Sequence, residues 1–354
     1  MNIINNKNIL AYVLISIFGL AAPTFLSAYL TQLSVLWILM VLAMTWNIQG
    51  GQMGYNTFGN IVFFGVGMYV CAGVQIGMYF PLAEWTAGGG EKTFVHETHQ
   101  YFKGFGVGLF FAALIPLIIA AILGRAILGL RGHYFAICTL GLGVASGEMA
   151  GGIELIGAGQ GMTTPVFPDV GPLNSRGLFF YYLCFVLAVV TFAVIKWAVQ
   201  KTRFGLTLNA IRDNEDKAEA MGIDTMKYKT TGWMLSAIFV GLAGALWGSI
   251  VGYIDPIEVA FDGRQMGVFM VLMTILGGKG TIWGPVLGAT IFHLFKEGFW
   301  TLFLGWQYVA LGALIVLIVV FFPEGLMGYL RQKKPEWFGE VIDEADRKSQ
   351  VILK

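Results

Sequence analysis

Charge is what this chain has least of. Of its 354 residues only 12% are Asp, Glu, Lys or Arg, against about 25% in ordinary soluble domains. The two signs nearly cancel, at a net charge of +1, and no basic cluster tracks along the sequence, so nothing points to a nucleic-acid partner. Cysteine is scarce too. Cys71, Cys138 and Cys184 lie far apart in apolar segments without a CxxC pair, which reads as small core residues, with no disulfide framework and no metal site. The chain also lacks a GxxxxGK[ST] phosphate loop, an HExxH pair, a nucleophile elbow and paired carboxylates. No catalytic residue is therefore assigned.

What is present is apolar surface. Hydrophobic residues make up 56% of the chain and mean hydropathy is +0.71, which predicts an all-α polytopic membrane protein embedded in a lipid bilayer. Apolar runs of membrane length occur at Ile9 to Leu30, Leu33 to Ile48, Phe58 to Phe80, Phe105 to Leu123, Phe135 to Met149 and Leu178 to Val199. After a polar interval they resume at Thr231 to Tyr253, Met266 to Leu276, Gly284 to Trp300 and Tyr308 to Phe322. The expectation is about ten transmembrane or partly re-entrant helices, several too short to be simple spans. Leu26-Ser27-Ala28 loosely resembles a signal-peptide cleavage site, but the length of the first run favours a retained helix. Pro23 is a candidate kink.

The polar interval, Lys201 to Lys229, is dense in both charge signs and separates two blocks of apolar segments. Its helix formers, Asn209 to Met221, stop at Gly222, a residue suited to the left-handed turn that ends a helix. Lysine and arginine concentrate in this interval, at Arg125, Arg131 and Lys279 and beyond Arg331, while Lys92, Lys103, Arg176 and Arg264 fall in the alternate loops. By the positive-inside rule the interval and both termini are cytoplasmic. Met266 to Leu276 is the short segment on which the parity of that assignment turns. The expected organisation is a transmembrane domain over 1–330 with a cytoplasmic loop at 201–229, and a cytoplasmic tail over 331–354.

Glycine is abundant, with 48 residues, and mostly sits at spacings that let membrane helices approach closely. Two clusters exceed that role. Gly50 to Asn60 and Gly277 to Pro285 interrupt apolar segments in the two halves of the chain. Such breaks in membrane helices point to a transport site, with hairpin turns at the membrane surface as the other reading. Tyr55, Thr57, Asn60, Phe63, Phe64, Thr281 and Trp283 are the candidate pathway residues. Ionisable groups inside the spans are sparse: Glu148, Glu154, Lys196, His293, Lys296 and Glu297. They form no relay, and the lysines are long enough to reach an interface. In the loop from Pro81 to Lys103, His96 and His99 would have metal-ligand spacing if helical, but an ordinary solvated loop is the favoured reading.

Several separated blocks carry a resemblance. GNIVFFGVGMY at Gly59 to Tyr69, LRGHYFAICTLGLG at Leu130 to Gly143, the RFG, AIRDNE and AEAMGI elements within Arg203 to Lys229, LGGKGTIWGPVLGA at Leu276 to Ala289 and FPEGLMG at Phe322 to Gly328 occur in one order across most of the chain. Together they resemble the LivM-type permease subunit of bacterial branched-chain amino acid ABC importers, a group that includes urea and other amide or carboxylate importers. The resemblance implies an ABC-importer permease fold in the bacterial inner membrane. It also implies a second, LivH-like permease, two cytoplasmic ATP-binding subunits that hold ATP and Mg, and a periplasmic solute-binding protein. No cofactor is expected in this chain. The resemblance further implies that Ala218, Glu219, Ala220, Met221 and Gly222, with Arg212 and Asp213, form the element that docks on an ATP-binding subunit.

The sequence departs from the family at the first break, where Tyr55, Thr57 and Asn60 stand at the positions of the usual Gln, Ser and His. A branched-chain amino acid leads as solute. A urea or amide importer, or a passive small-solute channel built on the glycine-rich breaks, remains the alternative.

Overall fold

In the computed structural model the described residues are 15–88, 94–168, 175–302 and 325–333, with 309, 312, 313, 316 and 320. The chain is overwhelmingly helical. Its helices are α1 (Ile15–Phe25), α2 (Leu30–Asn47), α3 (Asn60–Gly77), α4 (Leu82–Ala87), α5 (Thr98–Ile127), α6 (Gly132–Gly151) and α7 (Arg176–Lys201). They continue with α8 (Arg203–Asp213), α9 (Glu215–Ala220), α10 (Thr225–Val251), α11 (Val268–Gly277), α12 (Gly284–Leu302) and α13 (Gly325–Lys333). Among the described residues six helical stretches are long and apolar enough to cross a membrane, or seven if α6 and the turns that follow it make one bent span. The chain is thus a multi-pass membrane protein with six to seven candidate spans among the described residues. Most of the expected segment Tyr308 to Phe322 and the tail from 334 onward lie outside the described residues, as does the start of the segment expected from Ile9.

Close backbone approach explains how the bundle packs. Helices α3, α5 and α10 pack mutually, and α2 runs between them and α7, α11 and α12. A Cβ added to Gly67 would strike the Gly241 carbonyl, and one on Gly244 would strike that of Phe64, so α3 and α10 touch backbone to backbone as small-residue interfaces allow. Helix α2 is buried almost continuously from Leu36 to Asn47. Helix α6 is two-faced: Phe135, Thr139, Gly143, Gly147 and Ala150 are buried, while Tyr134, Ile137, Leu140, Val144 and Met149 are exposed.

The two ends differ. At one end Trp85 of α4 packs on Phe80, Phe94 and His96, and its indole donates to the Thr163 carbonyl at 3.0 Å. Residues 162–163 pair antiparallel with 253–254, so the glycine-rich loop after α6 folds onto the end of α10. His96 lies outside any helix and faces this aromatic cluster, whereas His99 is solvent-exposed beside Glu97; the two imidazoles do not converge. Burial, set against a hydrogen bond at the Gln75 carbonyl, lowers the His96 pKa. The other end carries α8, α9 and both glycine-rich breaks.

The polar interval forms two helices where one was expected. Asn214 breaks it, because its side chain accepts the Lys217 N–H at 2.9 Å and starts α9 as an N-cap. Thr202 and Asp224 cap α8 and α10 in the same way. Gly222 does adopt a left-handed conformation, at φ 83°, and ends the pair as its sequence position predicts.

Candidate functional site

The two breaks meet, and the seam between them is built from backbone. The break after α2 contains a wide helical turn at Ile48–Met53, ended by Gly54 at φ 79°. Asn47 reaches across to the second break, accepting the Gly280 N–H at 2.7 Å and donating to the Thr281 carbonyl at 2.8 Å. Gln52 donates to the Gly280 carbonyl at 2.7 Å. A side chain at Gly51 would collide with the Gly280 backbone, which is why glycine stands there. These are fixed amide pairings between segments more than two hundred positions apart.

Above the seam lies Arg212 of α8. Its guanidinium donates to the Gly51 carbonyl at 3.2 Å and pairs with Asp213 at 3.1 Å. Helix α9 is fastened more strongly. Lys229, in the second turn of α10, is almost fully buried and donates to Glu215 at 2.6 Å, to the Leu128 carbonyl at 2.7 Å and to the Tyr55 hydroxyl at 3.0 Å. Tyr55 in turn donates to Glu215 at 2.5 Å. Arg131 lies 3.5 Å from Glu215 and 2.7 Å from Asp216. Burial opposes ionisation of Glu215, but the hydrogen bonds from Lys229 and Tyr55 and the Lys229 and Arg131 charges together hold its pKa below the usual value. Burial first, and the Glu215 hydrogen bond second, push the Tyr55 phenol well above its usual range. The cluster is therefore an ionised carboxylate against an ammonium, with a neutral phenol bridging them.

The expected pathway residues fall into three places. Tyr55 belongs to the charge cluster just described. Thr57, Asn60, Phe63 and Phe64 are buried in the bundle: Thr57 caps the Gly59 N–H at 3.0 Å, and Asn60 accepts from the Trp233 indole at 3.0 Å and donates to Gln49 at 3.3 Å. Phe63 packs edge-on against Trp233. Thr281 is spent on the second break, bonding the Gly278 carbonyl at 2.7 Å and accepting the Gly284 N–H at 3.0 Å. Trp283 instead packs on Phe192 and lines an apolar pocket with Trp37, Met40 and Met44. Both breaks lie at the end that holds α8 and α9, and Tyr55, Thr57, Asn60 and Thr281 bond internal partners there.

The expected docking residues also divide. Ala218 is buried against its own chain, since the first turn of α9 lies on α10 and the 223 N–H returns to its carbonyl. Glu219, Ala220, Met221 and Gly222 are exposed. Met221 is 83% exposed, and Leu206 on α8, which the sequence reading did not single out, is 72% exposed. Leu130 and Tyr134, flanking the Arg131 that pairs with α9, are exposed at the same end. Lys229, Glu215, Gln49 and Trp233 were also missed.

Comparison with known proteins now decides the family. The family model described as branched-chain amino acid transport system / permease component matches residues 26–319. The chain belongs to that family. It is similar to the high-affinity branched-chain amino acid transport system permease protein LivM of Salmonella typhimurium, at 25% identity over 83% of this chain and 74% of that protein. Its likeness to the LivM protein of Escherichia coli is 26% identity over the same shares. A shorter likeness, 33% identity over 31% of this chain and 34% of the relative, is to the nucleoside ABC transporter permease protein NupC of Lactococcus lactis. No solved structure matches. The family match spans both breaks, α8 and α9, so the charge cluster lies inside the permease domain.

Proposed function

We propose that this chain is the transmembrane permease subunit of a binding-protein-dependent ABC importer that moves a branched-chain amino acid inward by ATP-driven alternating access. In this reading α8 and α9 face the cytoplasm of a bacterial cell. They dock on an ATP-binding subunit through Met221 and Leu206, with Ala220 and Gly222 permitting close approach and Glu219 and Asp213 fixing register. A LivH-like second permease covers the exposed apolar face of α6, a second ATP-binding subunit serves that partner, and a periplasmic binding protein delivers solute to the aromatic end. ATP and Mg sit on the ATP-binding subunits, and this chain contributes no catalytic group.

The observation that carries the reading is the pair of bare apolar residues on α8 and α9, presented by helices that are themselves bonded to the first break of the membrane domain. A surface held this way passes a push inward. Ala220→Arg places a bulky cation in the docking face without touching the buried cluster. The expected result is loss of co-purification with the ATP-binding subunits while the chain still inserts in the membrane. Unchanged assembly and unchanged ATP-driven uptake would remove α9 from the interface.

A further inference from the structure

Lys229 is spent in an unusual way. A buried lysine is costly unless its charge is paired and its donors satisfied, and an ammonium has three N–H groups to satisfy. Here all three go to segments remote from one another in sequence: Glu215 on α9 at 2.6 Å, the Leu128 carbonyl at the end of α5 at 2.7 Å, and the Tyr55 hydroxyl in the first break at 3.0 Å. The Lys229 ammonium also lies 4.7 Å from the centre of the Tyr55 ring, and that ring packs edge-on against Phe135 of α6. One nitrogen therefore joins α9, α10, the α5 end, the first break and, through Tyr55, α6.

We propose that Lys229 is a positioning residue that carries displacement of α9 to the first break and to the turn between α5 and α6, making the Lys229–Glu215–Tyr55 cluster the transmission joint of the importer. The inference rests on the importer reading above and names the joint within it. The physical argument is one of discrete alternatives. If a docked subunit pulls Glu215 away, the buried ammonium loses its counter-charge, so either Tyr55 and the Leu128 carbonyl follow or Lys229 exchanges partners. Either response moves the first break, and the seam through Asn47 and Gln52 passes that movement to Gly280 and Thr281. Packed and hydrogen-bonded networks of this kind shift between arrangements and do not stretch continuously.

A static staple would be built from the same contacts, and the two readings part on one point. For a staple, replacing the buried pair by uncharged residues of similar shape restores everything. For a joint, the replacement restores assembly but leaves transmission broken. The test uses the complete importer, this chain with its second permease and ATP-binding subunits, in membrane nanodiscs. Native complex and the double variant Lys229→Met with Glu215→Gln are compared for subunit co-purification and ATP hydrolysis. Amide hydrogen exchange over residues 54–60 is then measured without nucleotide and with ATP plus vanadate.

The expected result is a nucleotide-driven change in exchange in the native complex that falls by about tenfold in the double variant, while the variant assembles and hydrolyses ATP. A change of native size in the double variant, or none in the assembled native complex, would overturn the inference. If the double variant fails to assemble, Tyr55→Phe decides, because it deletes one hydroxyl and keeps the ring on Phe135. The nucleotide-driven change is expected to shrink in that variant, and an undiminished change would overturn the inference as well. Failure of the native chain to co-purify with any ATP-hydrolysing subunit would instead defeat the importer reading, a separate outcome.

Discussion

The aromatic end and the charged end of this bundle solve the same problem, tying helix ends together, by different means. Around Trp85 the tie is chiefly burial of rings among Phe80, Phe94 and His96, a non-directional attraction, with one directional bond from the indole to the Thr163 carbonyl. Around Lys229 it is a set of directional bonds among α9, α10, the α5 end and the first break, each with one geometry and a large penalty for a missing partner. In the proposed importer the first design suits the end that receives the solute carrier, and the second the end that transmits a stroke.

Substitutions that separate the two designs can be ranked. The largest expected loss is Trp85→Ala, which empties a 1% exposed site and costs about 4 kcal/mol. Thermal unfolding in detergent should show it, with little recovery from any second substitution. Lys229→Met alone follows at about 3 kcal/mol, since it strands the Glu215 carboxylate. Adding Glu215→Gln should return most of that loss, a strongly non-additive pair; simple additivity would contradict the buried ion pair. Arg212→Ala is expected to cost about 1 kcal/mol or less, because its bond to the Gly51 carbonyl is partly solvated.

Acidity sharpens the contrast further. Glu215 is held below the ordinary glutamate value of 4.5, so its ionised native form stabilises the charged end above that value, and the contribution is lost as pH falls through the lower folded value. Melting temperature should therefore fall on acidification below 4.5. Glu215→Gln should flatten that fall, and Trp85→Ala should leave its slope unchanged. A slope indifferent to Glu215→Gln would mean that the carboxylate is not held by Lys229.

The sequence made the membrane class, most span positions and the polar interval legible because hydropathy and charge segregation are local properties. The Gly222 turn was legible for the same reason. Asn214 was not, since one more polar residue in a polar stretch carries no contrast until its cap is formed. The fate of Tyr55 was out of reach: its partners lie 160 and 174 positions away, and no local pattern encodes such pairing. Polar residues at a helix break read as pathway lining; their hydrogen bonds, of Thr57 with the Gly59 N–H and of Asn60 with Trp233 and Gln49, could not be read from the local sequence. A signal for Lys229 did exist. It shares a helical stripe with Thr225, Gly232, Trp233 and Ser236, all buried on α10, so its phase placed a lysine on the inward face.

The most direct test of the account is uptake of labelled leucine into proteoliposomes that hold this chain with its second permease and ATP-binding subunits, supplied with the binding protein. The account predicts accumulation that requires ATP hydrolysis and is abolished by Ala220→Arg. Leucine flux that proceeds equally without ATP and without the ATP-binding subunits would contradict it and make the chain a passive channel.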